Sequence, residues 1–171
     1  LDGSSYFLGP LARMNLNFGQ LPDEVQALAR DLGLVFPSRN MFRNVVARAL
    51  ECYLAVVDSL NILQAYRLPS RPWTEFTPRA GIGHHCTEAP RGMIYHRFEL
   101  NARGEVVTAA MIPPTSQNQA RLEQNLNSAM EHFGLDHSDA ELCELCEKVI
   151  RNYDPCLSCS THFLKLTVHR A

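Results

Sequence analysis

Apolar residues recur at helical spacing over the longest patterned stretch of the chain, which runs from Ser38 to about Tyr66. A period near 3.6 residues predicts one long amphipathic or buried helix, with Ser38 as its cap. Its apolar positions are Phe42, Val45, Val46, Ala49, Leu50, Tyr53, Leu54, Val57, Leu60 and Leu63. A shorter helix is predicted over residues 22–33, since Pro22 suits the first helical position and Gly33 suits a helix end.

Two later helices are predicted from capping boxes, in which a serine is followed three residues on by Gln or Glu. The first box is Ser116 with Gln119, and the second is Ser138 with Glu141. The apolar positions of the first helix are Leu122, Leu126, Met130 and Phe133. Those of the second are Leu142, Cys146, Val149, Ile150 and Tyr153.

Alternating patterns predict two strands over residues 93–100 and 105–112, joined by a turn at 101–104 into a hairpin. Residues 69–78 contain three prolines and are predicted to be a loop. Leu164, Leu166 and Val168 alternate with polar residues, which suits a short strand near the end of the chain. The fold class predicted is therefore α+β, predominantly helical with a small β-hairpin, as a single domain over residues 1–171.

Composition and charge narrow the functional classes. The chain has 171 residues, of which 46% are hydrophobic, so it can bury a core. Its net charge of −2 comes with no basic patch, which argues against nucleic acid as a partner. No apolar run reaches the roughly 18–20 residues that cross a bilayer. Its six cysteines include two C-x-x-C pairs, which together with the long apolar helix pattern favour metal binding in a reducing compartment.

The strongest chemical signal is the nine-residue run D-P-C-L-S-C-S-T-H at residues 154–162. Cys156 and Cys159 are three residues apart, so one short turn can bring both thiolates to a soft metal ion. A C-x-x-C pair alone can also be half of a zinc site or a redox pair. Cys143 and Cys146 would complete a four-thiolate array for a non-catalytic zinc-binding or interaction module. Their helical pattern favours a buried Cys146 instead.

This motif, D-P-C-x-x-C-x-x-H, resembles the C-terminal metal motif of nickel–iron hydrogenase large subunits. Three further motifs resemble the same family and stand in its order: L-G-P-L-A-R at residues 8–13, E-A-P-R-G at 88–92 and P-P-T-S-Q-N at 113–118. The sequences of these motifs most resemble those of the soluble, cytoplasmic, NAD(P)-linked hydrogenases. The resemblance implies the C-terminal half of the large-subunit fold and reversible heterolytic cleavage of dihydrogen.

The resemblance also implies roles for individual residues. Cys156 would be a terminal nickel ligand, and Cys159 would bridge nickel and iron. Arg91 would hang over the open metal position, and Asp154 would be its partner; a structural ion pair of Arg91 with Glu88 or Asp154 is the alternative.

The resemblance implies cofactor binding by Pro90, Thr115 and Ser116. The hydroxyl of Thr115 or Ser116 would hydrogen-bond a cyanide, one of the diatomic ligands on iron. A plain helix cap explains Ser116 equally well. His84-His85-Cys86 precedes the E-A-P-R-G motif and is interpreted as structural, because neighbours on a strand point to opposite faces.

His162 matches a magnesium ligand that is also the last residue after maturation, so residues 163–171 would be a cleavable tail. The family's N-terminal C-G-x-C pair does not occur in the chain. We therefore expect a C-terminal portion of a large subunit that is inactive alone. The implied partners are the missing N-terminal half, an iron–sulfur small subunit, diaphorase-like electron-acceptor subunits and a maturation endopeptidase. Quinone-oxidoreductase relatives lose the nickel cysteines, and both are present here.

Overall fold

The computed structural model of the chain describes residues 3–154 and Thr167. Its described helices are α1 (Pro10–Asn17), α2 (Asp23–Asp31), α3 (Arg43–Ala65), α4 (Pro114–Gln117), α5 (Gln119–Phe133) and α6 (Asp139–Asn152). The strands are β1 (Gly81–Ala89), β2 (Gly92–Leu100) and β3 (Val106–Ile112). The described part of the chain is thus mainly helical with a small sheet, and the predicted α+β class is confirmed.

The three strands form one antiparallel sheet in the order β1-β2-β3. Tyr95 on β2 lies between Cys86 on β1 and Ile112 on β3. The predicted hairpin is β2-β3, and Gly104 closes its turn with a φ of 80°. Strand β1 was not predicted. Its sequence lacks the alternation of apolar and polar positions that marks a half-buried strand, and its residues are exposed almost throughout.

The main core lies where α1 and α2 pack against α3. Its buried members are Leu11, Met14, Ala29, Ala47 and Leu50. Helices α5 and α6 pack on each other beside it, where α6 buries Leu142, Cys146 and Val149. No helix within residues 3–154 is both long and apolar enough to cross a membrane.

The predicted apolar face of α3 is mostly wrong. The buried residues of this helix are Asn44, Ala47 and Leu50, whereas Val45 and Leu63 are exposed. A period near 3.6 correctly identifies a helix, but tertiary packing selects a face turned away from most of the apolar stripe. Loop 69–78 contains no helix or strand, as predicted.

Two of the predicted helix caps are also wrong. The long helix begins at Arg43, while Ser38 lies before it and exchanges hydrogen bonds with the side chain of Asn15. Ser116 lies inside α4, where its hydroxyl donates to the carbonyl of Pro113 instead of capping α5. Because α4 leads almost directly into α5, the first turn of α5 leaves little for a side-chain cap to satisfy.

The capping box at the start of α6 is confirmed. The Ser138 hydroxyl accepts from the backbone N–H of Glu141, and the Glu141 carboxylate accepts from the backbone N–H of Ser138. Gly33 follows the end of α2 and stops the helix as predicted, with a φ of 67°. The predicted strand at residues 164–168 lies, apart from Thr167, outside the described residues.

Candidate metal centre

Arg91 lies in the two-residue turn that joins β1 to β2, and its side chain reaches the residue that follows α6. Its Nε donates a hydrogen bond to the backbone carbonyl of Asp154 and lies 3.2 Å from that residue's Oδ2. The two residues are 63 positions apart in sequence. Of the two ion pairs predicted for Arg91, the structure forms the one with Asp154, so the arginine is aimed at the start of the D-P-C-x-x-C-x-x-H motif.

Asp154 receives a second guanidinium. Arg48 on α3 places its Nε 3.7 Å from Asp154 Oδ2, and this nitrogen is buried without a hydrogen-bond partner in the described part of the chain. Asp154 also has a φ of 50°, a conformation that aspartate tolerates better than most residues. Its own N–H donates to the carbonyl of Arg151, so the turn is tied to the end of α6.

The backbone around Arg91 is closely packed. A Cβ on Gly92, whose φ is 141°, would lie 2.7 Å from the Cβ of Leu8 and 3.0 Å from the Cβ of Pro114. A Cβ on Gly9 would lie 3.2 Å from the carbonyl oxygen of Arg91. The L-G-P-L-A-R, E-A-P-R-G and P-P-T-S-Q-N motifs therefore meet at this turn, because glycine permits backbones to approach so closely.

Two buried asparagines hold these motifs together; sequence reasoning missed Asn44 and gave Asn118 no role beyond its place in the P-P-T-S-Q-N motif. Asn44 Oδ1 accepts from the N–H of Leu11, and its Nδ2 donates to the carbonyl of Asn152. Asn118 accepts from the N–H of Leu8 and donates to the carbonyl of the same residue. The signal for Asn44 was a polar residue within an apolar helix, where burial requires that its amide be fully bonded.

The other predicted residues lie around this cluster or beyond the described region. Thr115 and Ser116 are on α4, which packs against β2, and both are exposed, as is Pro90. The predicted metal ligands Cys156, Cys159 and His162 fall outside the described residues, as does the predicted tail at residues 163–171 apart from Thr167. The described residues alone contain no group of three or more His, Cys, Asp or Glu side chains that can hold a metal.

The described surroundings nevertheless fit a soft metal held by Cys156 and Cys159. In sequence these cysteines follow Asp154 by two and five residues, and Arg48 and Arg91 both pair with the Asp154 carboxylate, so that the cluster of three side chains carries net positive charge. Positive charge favours the thiolate form of cysteine, which is the metal-binding form. Thiolates are donors that suit nickel and iron, and an arginine can bind anionic ligands.

Cys146, a member of the alternative zinc array, is buried. It is 3% exposed, and its Sγ lies 3.6 Å from the Sδ of Met130. Burial, followed by the nearby Cys143, raises the pKa of the Cys146 thiol and so opposes the thiolate that zinc requires. The predicted burial of Cys146 is confirmed. Of the His84-His85-Cys86 cluster, His84 Nδ1 lies 2.6 Å from the hydroxyl of Tyr95 across the sheet.

A family model described as nickel-dependent hydrogenase matches residues 2–162. The chain belongs to the nickel-dependent hydrogenase family. The predicted family resemblance is thereby confirmed.

Curated relatives agree with this membership. The alpha subunit of sulfhydrogenase 1 from Pyrococcus furiosus is 30% identical over 167 residues, which cover 96% of this chain and 38% of that subunit. The beta subunit of the NAD-reducing hydrogenase HoxS from Cupriavidus necator is 34% identical over 98 residues, or 56% of this chain and 19% of that subunit. The chain thus spans well under half the length of these hydrogenase subunits.

Solved hydrogenases share the fold. An NAD+-reducing NiFe hydrogenase in the H2-reduced state matches with a TM-score of 0.67 and 26% identity, covering 94% of this chain and 37% of that chain. A NiFeSe hydrogenase from Dm. baculatum matches with a TM-score of 0.63 and 25% identity, covering 91% of this chain and 34% of that one. The predicted large-subunit-like fold is therefore confirmed.

Proposed function

We propose that this chain forms one wall of a nickel–iron centre in a hydrogenase large subunit, which catalyses reversible heterolytic cleavage of dihydrogen. The observation that carries the proposal is the Arg91–Asp154 pair, which lies immediately before Cys156. Cys156 and Cys159 would hold the metals, with His162 at a nearby magnesium ion. When bound, the nickel–iron centre supplies the redox-active Lewis acid at which dihydrogen is polarised.

Arg91 would orient groups beside the metals. Within residues 3–154 only its Nε makes a hydrogen bond, so its two terminal guanidinium nitrogens would be available to groups at the metal centre. Arginine is charged at every physiological pH and presents its donors in a fixed plane, so it can hold a small anionic or diatomic group in one orientation. Asp154 would keep that plane fixed by engaging the inner nitrogen.

Thr115, Ser116 and Pro90 would face the diatomic ligands on iron. In support, Pro114 lies at the glycine contact beside Arg91, so α4 starts at the same turn. The Ser116 hydroxyl donates to Pro113, and a change of rotamer would be needed before it donated to a cofactor ligand. We therefore regard the Thr115 hydroxyl as the better donor of the two.

The partners proposed follow from the relatives. One relative is named as a subunit of an NAD-reducing hydrogenase, so we propose an iron–sulfur small subunit and a diaphorase-like acceptor subunit for this chain. A maturation endopeptidase would cleave after His162. Because the sequence contains no C-G-x-C pair, the other two thiolates would come from the remainder of the large subunit, and the 171-residue chain alone would show no dihydrogen uptake.

The test is metal content and activity in the assembled hydrogenase that contains this chain. We expect Cys156→Ser and Cys159→Ser each to abolish bound nickel, measured by plasma mass spectrometry, and dihydrogen-dependent reduction of a viologen dye. Cys52→Ser and Cys86→Ser are matched controls, since both cysteines are exposed and distant in sequence from the motif, and they should retain both properties. Full nickel content in Cys156→Ser would refute the proposal.

A second variant separates the zinc alternative. Suppose that the unmodified protein held no nickel but one tightly bound zinc ion per chain, and that Cys143→Ser removed this zinc. The four-cysteine module would then replace the hydrogenase centre. We expect instead that Cys143→Ser keeps its nickel. The buried position and raised pKa of its neighbour Cys146 are the physical reasons.

A further inference from the structure

Arg13 on α1 contacts the turn that carries Arg91 through its backbone carbonyls. Its Nη1 donates to the carbonyl of Ala89, and its Nη2 donates to the carbonyl of Pro90, both at 2.9 Å. These are the two residues immediately before Arg91. The opposite edge of the guanidinium binds Glu51 on α3 with two hydrogen bonds of 2.6 Å, from Nε and Nη2.

This arrangement connects three separate parts of the chain through one side chain. Glu51 fixes the plane of the Arg13 guanidinium, because a bidentate carboxylate permits only one orientation. The side chains of Arg13 and Glu51 are each only 20% exposed, so water competes weakly with the pair. Glu88 also lies 3.8 Å from Nε, but its side chain is 74% exposed and contributes little.

The charge of Arg13 maintains its contacts with Glu51, Ala89 and Pro90 at every physiological pH. The hydrogen bonds that Arg13 donates to Glu51 raise the pKa of Arg13, and they outweigh the lowering that burial causes. Arg13 is therefore always a cation that can donate to both carbonyls. A lysine at this position has a single nitrogen and no rigid fork, so it cannot hold Glu51 and two carbonyls in the same geometry.

We infer that Arg13, held by Glu51, is a positioning residue that fixes the Ala89–Pro90 backbone and thereby aims Arg91 at Asp154 and the metal motif. The inference rests on the proposed function of Arg91. The two carbonyls that Arg13 binds precede Arg91 and set the direction of the Cα–Cβ bond of Arg91. On the other side of Arg91, Gly92 packs against Leu8 and Pro114. A misplacement of about 1 Å at a reacting group can lower a rate about a hundredfold.

The experiment compares Arg13→Lys and Glu51→Gln in the assembled hydrogenase with Arg103→Lys. Arg103 is the matched control, because it also pairs with a glutamate, Glu105, but on the exposed tip of the hairpin. We expect Arg13→Lys and Glu51→Gln to keep bound nickel and KM for dihydrogen, and to lower kcat by about tenfold to a hundredfold. Hydrogen–deuterium exchange of residues 90–93 should rise in both, and in the control neither quantity should change.

A double variant distinguishes positioning from general stability. If Arg13 acts through Arg91, Arg13→Lys should lower kcat no further once Arg91→Lys is present. Losses that multiply, or an Arg13→Lys protein with unchanged kcat and exchange, would overturn the inference. If Arg13→Lys fails to assemble, Glu51→Gln decides alone, since it preserves size and one acceptor oxygen. Full activity in Arg91→Lys would refute the proposed function itself, whereas the exchange readout at residues 90–93 would still report on the Arg13 contact.

Discussion

Gly92→Ala should disrupt the turn that carries Arg91 through two separate costs. The first is conformational: the φ of Gly92 is 141°, where a residue with a Cβ is strained by about 1–3 kcal/mol. The second is steric. The new methyl would lie 2.7 Å from the Cβ of Leu8 and 3.0 Å from that of Pro114, against about 3.5–4.0 Å for carbon atoms in contact.

Neither neighbour can move aside cheaply, because a Cβ is fixed to its own backbone. Overpacking of this kind costs about 1–3 kcal/mol, so the total is about 2–6 kcal/mol. Gly134→Ala carries the first cost alone, since its φ is 88° and no atom lies within 4 Å of the added methyl. Gly83→Ala carries neither cost, because its methyl would also enter open space and no positive φ applies.

The assay is hydrogen–deuterium exchange of the assembled hydrogenase, read in peptides that cover each substituted glycine. A loss of about 2 kcal/mol in local opening free energy accelerates exchange roughly 30-fold. We expect Gly92→Ala to exceed Gly134→Ala by about tenfold or more near the substituted residue, and Gly83→Ala to stay near the parent protein. If Gly92→Ala accelerated exchange no more than Gly134→Ala, the approach of Leu8 and Pro114 would have no energetic role.

Three further predictions concern the described helices. Asn44→Leu leaves two buried backbone groups unpaired and should cost about 2–5 kcal/mol, seen as a lower midpoint of thermal unfolding. Hydrogen bonds from Ser138 lower the pKa of Glu141, so its stabilisation of α6 is present above the ordinary glutamate pKa of about 4.3 and is lost as pH falls through the lowered value. Ser138→Ala should flatten that pH dependence in circular dichroism. Cys146 should resist alkylation near pH 8 while the exposed Cys86 reacts, and equal rates would contradict its burial.

Local features of the fold were predictable because their causes lie within a few residues. The α6 capping box needs only Ser138 and Glu141, and the hairpin needs only two alternating runs and a turn with Gly104. Ser116 satisfied the same capping pattern, yet α4 already places it within a helical segment. A cap motif therefore predicts a helix start only where the preceding backbone is not helical.

The sequence suggested one contact of the candidate site but not the contacts that support it. The motifs named Arg91 and Asp154, and the family resemblance suggested their pairing. The L-G-P-L-A-R motif contains Arg13, but nothing in the sequence pointed to its contacts, because its partners Ala89 and Pro90 offer backbone carbonyls 76 and 77 positions away. A carbonyl leaves no mark on residue type. Positioning contacts of this kind become visible only when a structure brings distant segments together.

Helix α3 shows what hydrophobic periodicity measures. Its apolar stripe has the correct helical period, but Tyr53, Leu60 and Leu63 are exposed in the described part of the chain, at 38%, 54% and 69%. The face that packs on α1 instead includes Asn44, a polar residue that satisfies backbone groups from two other segments. Periodicity reports which face of a helix is costly to leave in water. It does not report which face packs against a neighbouring element, because a buried polar contact can select a different face of the helix.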